Sequence, residues 1–295
     1  MRAARLHTIG GLPQVDEIDP PVGPGLVHVS ASALNPVDIS IGSGRFYGGS
    51  PPTPYTIGSE AVGSAEDGRR VWVRSRNRGS MAEVVDPEGG WVFDVPDGVD
   101  DALALACGIA GLTAWLGVSW RARVREDDTV LVLGASGTLG SVAVQGARLL
   151  GARRVIGAAR RTDLVPAEAD EVVDLANGGE LPQATFVVDA LWGEPLERAL
   201  AAAASGVRVV HLGQSAGSAA TLQSAWVRGK VADIFGHSLF SVPADVAATG
   251  YRELCLHALE GRITSAIERH PLSEVATAWE RQASGSPGAK IVIDF

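Results

Sequence analysis

The sequence predicts an α/β protein with two domains, one rich in β-strands and one built on a parallel sheet. The chain has 295 residues, more than a single hydrophobic core usually supports. Pro and Gly break it into short β-rich segments up to about residue 105, and strands then alternate with helical patterns. We therefore expect one domain formed by residues 1–107 with 241–295 and another formed by residues 108–240.

The composition is that of a globular protein. Hydrophobic residues make up 46% of the chain, and 36 Gly and 16 Pro punctuate it, as they do where strands, turns and helices alternate. The 25 basic and 34 acidic residues give a net charge of −9. Because no run of Lys or Arg is long enough to follow a phosphate backbone, we expect no nucleic-acid partner.

The cysteines and the start of the chain bear on the compartment. Cys107 and Cys255 are the two cysteines, too few for a disulfide framework or a multi-cysteine zinc site. The first residues lack an apolar core of signal-peptide length, and no uninterrupted apolar run reaches the length of a membrane span. These observations predict a cytoplasmic protein that does not enter a membrane.

The first part of the chain is predicted to form an irregular, barrel-like β-domain. Strand patterns occupy residues 26–34, 69–75 and 82–86, and turns fall at Pro20-Pro21 and Gly48-Gly49. A last strand at 290–295 follows two helical stretches and lies too far from the parallel unit to belong clearly to it. We assign this last strand provisionally to the first domain.

The second part reads as repeated strand-then-helix units. Its predicted strands are nearly continuous apolar runs at 129–134, 154–159, 186–191 and 208–213. Such runs are typical of a parallel sheet that is covered by helices on both faces. The clearest helical pattern lies at 139–151, and after about residue 240 helical stretches at 244–261 and 273–284 replace the strand-helix rhythm.

A glycine-rich loop is the strongest motif. Gly134, Gly137 and Gly140 are spaced three apart between the strand TVLVLG and a helix, which predicts a tight turn, a close approach to a pyrophosphate and close packing of helix on strand. A glycine turn in an unrelated α/β domain is the alternative, but the flanking strand and helix favour a dinucleotide site. The predicted cofactor contacts are the whole loop: Gly134, Ala135, Ser136, Gly137, Thr138, Leu139 and Gly140.

The end of the next strand indicates which dinucleotide binds. A site that prefers NAD places a carboxylate roughly 20 residues after the loop, and this chain has Arg160 and Arg161 there. Guanidinium groups bind a 2′-phosphate that a carboxylate would repel, so the pattern favours NADPH over NADH. The alternative is two solvated arginines, one of them paired with Asp163.

Several stretches together resemble the quinone oxidoreductase branch of the medium-chain dehydrogenase/reductase family. The resemblance covers nearly the whole chain in order and implies a GroES-like catalytic domain, a Rossmann domain with a doubly wound parallel sheet, and a cofactor in the cleft between them. The stretches are ALNPVDISIGSGRFYGG (33–49), PYTIGSE (54–60), GIAGLTAWLGV (108–118), the loop ASGTLG, VVDALWGEPLERAL (187–200), RVVHLG (208–213) and GAKIVIDF (288–295).

The resemblance also implies that no zinc is bound. Relatives that oxidise alcohols bind a catalytic zinc through Cys, His and Cys, where this chain has Asn35, Ser59 and Cys107. One thiol is not a zinc site, and Cys107 reads as a small core residue. Without a Lewis acid, alcohol oxidation is disfavoured, whereas a conjugated acceptor such as a quinone or enone needs less activation.

The resemblance assigns further cofactor contacts. Asn35 and Thr113 are expected to meet the nicotinamide half of the cofactor, and the backbone of Leu212, Gly213 and Gln214 is expected to approach its carboxamide or ribose. Tyr47 matches a pocket tyrosine, so its hydroxyl is expected to donate a hydrogen bond to a substrate carbonyl; the alternative is that Tyr47 merely packs.

Three polar residues have two possible interpretations each, and a fourth, His211, has one. Asp38 is either a proton relay or a helix cap, and His237 either borders the substrate or is a hydrogen-bonded structural residue. Lys290 either reaches the cofactor phosphates or is a solvated strand end. His211 lies inside a strand and is interpreted as structural.

The sequence departs from the family at two places. Segment 60–83 is shorter than the corresponding loops, which would reshape the substrate cleft, and Pro166 abbreviates the helix after Arg161. The apolar segment 231–236 suggests edge-to-edge pairing of the sheet in a homodimer. The function hypotheses are a reductase of quinones or enones, an enoyl reductase on a polyketide-like intermediate, and a non-catalytic NADPH-binding protein.

Overall fold

The computed structural model describes residues 1–75 and 79–295, which divide into two compact units. Unit 1 comprises Met1–Ile109, Tyr251–Leu259 and Ser265–Phe295, and unit 2 comprises Ala110–Gly250 and Glu260–Thr264. Sequence analysis placed the divisions at 107 and 241, and those boundaries stay predictions. Of the shortened segment 60–83, residues 76–78 lie outside the described residues.

The strands are numbered in chain order. They are β1 (Arg2–Leu6), β2 (Gln14–Glu17), β3 (Val27–Leu34), β4 (Tyr55–Thr56), β5 (Glu60–Ala65), β6 (Arg70–Arg74), β7 (Val84–Val85), β8 (Trp91–Asp94), β9 (Thr129–Leu133), β10 (Arg154–Ala159), β11 (Glu171–Asp174), β12 (Phe186–Asp189), β13 (Arg208–His211), β14 (Asp233–Gly236), β15 (Ile267–Pro271) and β16 (Lys290–Asp294).

The α-helices follow the same numbering. They are α1 (Pro36–Gly42), α2 (Asp101–Ala106), α3 (Leu112–Leu116), α4 (Thr138–Leu149), α5 (Gly193–Ala202), α6 (Ser224–Val227), α7 (Ala244–Leu259) and α8 (Val275–Ala283). Sequence analysis anticipated a helix start near Asp38 but gave α1 no bounds; Pro36 stands in its first turn and Asn35 is the N-cap, positions that both residue types favour.

Unit 1 contains a mixed sheet and a small antiparallel one. The larger sheet has the order β15-β16-β3-β5-β6-β8, with β7 also paired to β3, and the smaller has the order β2-β1-β4. The last strand, which sequence analysis assigned to the first domain, pairs antiparallel with β3, Ile291 opposite Leu34. Helix α8 packs its buried Trp279 into the core beside Leu6, Ile39 and Ile293.

Unit 2 is built on a fully parallel sheet in the order β11-β10-β9-β12-β13-β14. The α/β fold class is therefore confirmed. Strand β9 is buried throughout, as expected for a strand covered on both faces. The chain winds from β9 toward β11 and then from β12 toward β14, so the direction reverses between β9 and β12, where parallel sheets usually bind their ligands.

Two strands of unit 2 end two residues before their predicted bounds. Strand β12 ends at Asp189 rather than at 191, because the Asp189 carboxylate accepts hydrogen bonds from the backbone N–H groups of Leu191 and Trp192 and turns the chain. Strand β13 ends at His211 rather than at 213. Both ends fall at the carboxyl edge of the sheet.

One helical segment has the length and composition of a membrane span. Among the described residues this segment is Asp101–Arg121, and 83% of its most apolar 18-residue stretch is buried inside the protein. Burial of that extent is typical of a core helix.

Candidate functional site

The glycine loop forms a tight turn from the end of β9 into α4. Gly134 has φ +85°, a backbone conformation that side chains with a Cβ disfavour. A Cβ atom at Gly140 would lie 2.1 Å from the carbonyl oxygen of Gly134, so Gly140 allows the first turn of α4 to pack directly on the strand end.

This turn presents the start of a twelve-residue helix at the carboxyl edge of the sheet. The first N–H groups of a helix have no intrahelical partner and attract an anion. Gly137 is the N-cap in an extended conformation, and Ser136 through Leu139 are half-buried. The loop is therefore reachable, with donors that fit a pyrophosphate.

Arg160 and Arg161 follow the end of β10, and both are exposed. The predicted helix beyond them is reduced to the short turn Thr162–Leu164, which agrees with the abbreviation expected at Pro166. The two guanidinium groups thus stand at the same carboxyl edge as the glycine loop, on the β10 side of β9.

On the other side of β9, a carboxylate and an imidazole are paired. Asp189 ends β12 and is fully buried, and its Oδ2 lies 2.9 Å from Nδ1 of His211 at the end of β13. The His211 ring also packs against Trp192, with 4.2 Å between ring centroids. Sequence analysis interpreted His211 as structural and did not identify its partner.

The segment that follows β13 lies beside this pair. Leu212 and Gly213 are half-buried and Gln214 is exposed, and the Leu212 N–H donates to the Asp189 carbonyl at 2.7 Å. Thr113, the other residue of unit 2 expected near the nicotinamide, is buried at 8% exposure in α3.

His237 follows β14 and is buried at 9% exposure. Its Nε2 has no hydrogen-bond partner among the described residues. The interpretation of His237 as a hydrogen-bonded structural residue therefore has no side-chain hydrogen bond at Nε2 to support it. Burial first, and then the charge of Arg121, lower the pKa of His237 to about 4. The imidazole is therefore neutral at physiological pH.

In unit 1, a buried network surrounds Glu60. Its Oε1 accepts hydrogen bonds from Lys290 Nζ at 2.5 Å and from Asn35 Nδ2 at 2.8 Å. Its Oε2 accepts from Trp72 Nε1 and from the Ile109 N–H, each at 2.8 Å. Sequence analysis missed Glu60, although a carboxylate at the start of an apolar strand was a usable signal.

The position of Lys290 corrects one prediction. Lys290 is 2% exposed, so the solvated strand end, one of its two interpretations, is wrong. Its ammonium donates to Glu60 and, at 2.7 Å, to Asn35 Oδ1, because β16 pairs with β3 and brings Lys290 next to Asn35. A role at the cofactor phosphates gains no support from this pairing.

Asp38 is the second buried carboxylate of unit 1. Its Oδ2 accepts the Asn35 N–H at 2.8 Å, which caps α1, and its Oδ1 accepts Ser59 Oγ at 2.5 Å. Burial raises the pKa of Asp38 to about 6, against the lowering effect of the Ser59 hydrogen bond. The capping role is present in the structure, together with a hydroxyl partner that a cap alone does not require.

Tyr47 lies at the surface of unit 1. The residue is 80% exposed, and its ring lies 4.4 Å from that of Phe46. Tyr55 is different: its hydroxyl oxygen is buried without a hydrogen-bond partner among the described residues. Burial first, and then the Asp38 charge, raise the pKa of Tyr55 to about 12.

The three positions matched to zinc ligands carry other interactions. Asn35 is bonded to Glu60 and Lys290, Ser59 to Asp38, and Cys107 is buried at 3% exposure. Contact with the Cys255 thiol and burial raise the pKa of Cys107, which keeps it a neutral thiol. Within residues 1–75 and 79–295, no group of three or more His, Cys, Asp or Glu side chains is arranged to hold a metal.

Comparisons with known proteins agree with this architecture. No protein-family model matches the chain. A phenolphthiocerol/phthiocerol polyketide synthase from Mycobacterium tuberculosis is 28% identical over 340 aligned residues, 99% of this chain but 14% of that protein. The quinone oxidoreductase of Pongo abelii is 34% identical over 176 residues, 54% of this chain and 53% of its own length.

A solved structure matches the whole chain. The quinone oxidoreductase of Thermus thermophilus, determined alone and in complex with NADPH, has 26% sequence identity and a TM-score of 0.85, with 100% of both chains covered. In sequence, the chain spans only about half the length of the curated quinone oxidoreductase it matches. Together with the parallel sheet and glycine turn of unit 2, these similarities support a quinone oxidoreductase-like protein of the medium-chain dehydrogenase/reductase type.

Proposed function

We propose that this chain is an NADPH-dependent reductase that transfers a hydride to a conjugated acceptor such as a quinone or an enone. The observation that carries the proposal is the glycine turn at the start of α4, at the carboxyl edge of a doubly wound parallel sheet. The two arginines at the end of β10 support the choice of NADPH, and so does the NADPH complex of the Thermus thermophilus relative.

The residues of unit 2 fit a dinucleotide. Its pyrophosphate would lie on the N–H groups at the start of α4, because Gly134 and Gly140 leave no side chain between the strand end and the helix. Arg160 and Arg161 would hold the 2′-phosphate. When bound, NADPH supplies the hydride.

We propose that the reaction uses no metal. The Lys290 ammonium already neutralises Glu60 and occupies the amide oxygen of Asn35, so a divalent cation at Asn35 would meet a positive charge at close range. A conjugated acceptor fits this arrangement, since it accepts a hydride without the Lewis acid that alcohol oxidation requires.

A reduced quinone or enone also needs a proton after the hydride arrives. Asp38 with Ser59 is one source: the carboxyl has a pKa of about 6, and Ser59 Oγ is bonded to it at 2.5 Å. Such a pair can deliver a proton through the hydroxyl. Tyr47, predicted as a hydrogen-bond donor to the acceptor oxygen, is the other source.

An enoyl reductase acting on a polyketide-like intermediate is the second candidate function. One observation favours it: the alignment to the polyketide synthase covers 99% of this chain, against 54% for the quinone oxidoreductase. The chemistry is closely related, because an unsaturated thioester is also a conjugated acceptor.

The test is NADPH oxidation by the purified protein with quinones, enones and unsaturated thioesters, each with and without prior dialysis against a strong chelator. We expect steady turnover with at least one class and no loss after dialysis. Faster turnover of thioesters than of quinones would favour the enoyl reductase. NADPH binding without turnover of any acceptor would favour the non-catalytic alternative, and stoichiometric, tightly held zinc would contradict the metal-free reaction.

A further inference from the structure

The Asp189–His211 pair at the ends of β12 and β13 has no part in the function proposed so far. Asp189 is 0% exposed, and its Oδ1 accepts the N–H groups of Leu191 and Trp192 while its Oδ2 holds His211. A carboxylate with these donors can only accept, so Nδ1 of His211 carries the proton. In that tautomer the other ring nitrogen, Nε2, is a hydrogen-bond acceptor.

That nitrogen is available to a ligand. The His211 side chain is 27% exposed, and its Nε2 makes no hydrogen bond to the described residues and is not among their buried, unpartnered atoms. The ring itself is held from two sides, by the Asp189 carboxylate and by the Trp192 ring. Packing alone does not require a hydrogen-bond acceptor that is held in a fixed orientation at the edge of the sheet where ligands usually bind.

The pair is continuous with the glycine turn. Asp189 lies opposite Leu133 of β9 in the parallel register. A Cβ atom at Gly134 would lie 3.1 Å from Leu191 Cδ2, and one at Gly213 would lie 3.0 Å from the Ala190 carbonyl oxygen. The turn at 134, the loop at 190–192 and the segment at 213 therefore form one edge that leads to His211.

Sheet order gives the direction in which a dinucleotide would lie along this edge. In the order β11-β10-β9-β12-β13-β14, the arginines follow β10, the glycine turn follows β9, and His211 ends β13. With the 2′-phosphate at β10 and the pyrophosphate at β9, the rest of the cofactor extends toward β12 and β13.

We infer that His211 is a binding residue for the nicotinamide–ribose half of the cofactor, with Nε2 accepting a hydrogen bond from a hydroxyl or carboxamide N–H of that half. Asp189 is the positioning residue that holds the tautomer and the ring. This inference rests on the proposed NADPH binding and extends it to His211. If His211 were purely structural, replacing it would not selectively change NADPH affinity.

Two substitutions separate binding from structure. His211→Asn keeps an amide near Nδ1 that can bond to Asp189 but removes the outward nitrogen, whereas His211→Gln carries its amide near the position of Nε2. His28→Gln, at an exposed position in β3, is the matched control. Circular dichroism establishes that each variant is folded.

Dissociation constants are measured for NADPH and for adenosine 2′,5′-bisphosphate, which lacks the nicotinamide half. We expect His211→Asn to weaken NADPH about three- to tenfold, as for one lost hydrogen bond, and to leave the bisphosphate unchanged. We expect His211→Gln to bind NADPH more tightly than His211→Asn does.

Three results would overturn the inference: unchanged NADPH affinity in His211→Asn, an equal loss for both ligands, or no advantage of Gln over Asn. A wild-type protein that binds neither NADPH nor the bisphosphate would instead refute the proposed function itself. The two failures are therefore distinguishable.

Discussion

At the scale of single residues, unit 1 holds two buried carboxylates in different environments. Glu60 accepts four hydrogen bonds, one of them from the Lys290 ammonium. Asp38 accepts two, from a hydroxyl and a backbone N–H, and the groups around it are Ser59, Asn35, Glu60, Lys290 and Tyr55. Because no cation among residues 1–75 and 79–295 bonds directly to Asp38, burial dominates and raises its pKa.

Replacing Asp38 should change how stability depends on pH. The pKa of Asp38 is about 6 in the folded chain against an ordinary value of 3.8, so folding retains its proton. This retained proton contributes fully to the free energy of unfolding below pH 3.8, and the contribution is lost as pH rises through about 6. The loss is about 3 kcal/mol at 1.36 kcal/mol per pKa unit. Asp38→Asn lacks this titration.

Urea unfolding from pH 4 to pH 7 measures the effect. As pH rises from 4 through 6, the free energy of unfolding of the wild type should fall relative to that of Asp38→Asn, and the difference should level off above pH 6. Ser59→Ala is the companion variant, because losing its hydrogen bond should raise the pKa of Asp38 further. Parallel curves for wild type and Asp38→Asn would contradict the raised pKa.

Arg160 and Arg161 should determine the choice between NADPH and NADH. A charge-assisted hydrogen bond contributes on the order of 1.5–3 kcal/mol, and exposure reduces the gain, so we expect at least about a tenfold preference for NADPH in kcat/KM. Changing both residues to Ala should remove most of that preference and leave NADH kinetics nearly intact. The preference of the wild type should shrink as the salt concentration rises.

The control for this experiment is Arg252→Ala, which removes an exposed arginine from α7 without touching the sheet edge. A double variant that keeps its preference would mean that the 2′-phosphate is bound elsewhere. Lys290, the next candidate, would have to leave its buried bond to Glu60 to reach the phosphate. A wild type that favours NADH would refute the assignment of the arginines.

Tyr47 tests whether an exposed phenol serves the reaction. A hydrogen bond to the acceptor oxygen strengthens as negative charge develops there, so its loss appears in turnover. We expect Tyr47→Phe to lower kcat for a quinone while the KM for NADPH barely changes. Phe46→Leu disturbs the neighbouring ring and keeps the phenol; if it reproduces the defect, Tyr47 acts through packing.

At the scale of elements, the ends of the parallel strands carry the candidate site. Strand β9 ends in a glycine turn, β10 in arginines, β12 in Asp189 and β13 in His211. Parallel strands place their carboxyl ends at one edge, so residues far apart in the chain come together without any loop having to reach across.

The close contact between α4 and the end of β9 depends on the absence of a side chain at Gly140. A Cβ atom there would lie 2.1 Å from a backbone oxygen, which forces the helix away from the strand end. We expect Gly140→Ala to weaken NADPH binding more than about tenfold and to destabilise the fold by about 1–3 kcal/mol, as overpacking does.

Gly146→Ala is the control on the same helix. Its Cβ atom would make ordinary contacts of 3.4 Å and longer with Val118 and Trp115, and Ala favours a helix over Gly by about 1 kcal/mol. This variant should bind NADPH like the wild type and unfold at a higher temperature. NADPH affinity that is equal in both variants would refute the role of the close approach at Gly140.

At the scale of the whole molecule, the outer edge of the parallel sheet bears on self-association. Strand β14 is the last strand in the order of the parallel sheet, and the preceding Val231 is 69% exposed. Exposed edges tend to pair or to be protected. We propose a homodimer formed through this edge, and light scattering over a dilution series should give twice the chain mass. A concentration-independent monomer mass would contradict it.

Much of unit 2 could be predicted from sequence because its signals are local. Apolar runs indicated the strand positions, and strand β10 was predicted with its observed bounds. The spacing of three between glycines located the loop. The distance in sequence from that loop, together with the next apolar run, placed Arg160 and Arg161 at a strand end. Strand ends were less accurate where a side chain, such as that of Asp189, turns the chain by bonding to the backbone.

Local sequence patterns were enough to predict the α/β class, the parallel sheet and the glycine turn, since each depends on residues that are neighbours in the chain. The roles of the isolated polar residues emerged only from the folded chain. Lys290 meets Asn35 across 255 positions and Glu60 across 230, and His211 meets Asp189 across 22. These pairings depend on which strands lie side by side. A charged residue in an apolar strand must find a partner or bear a large desolvation cost, but the sequence pattern does not say which partner the fold brings within reach.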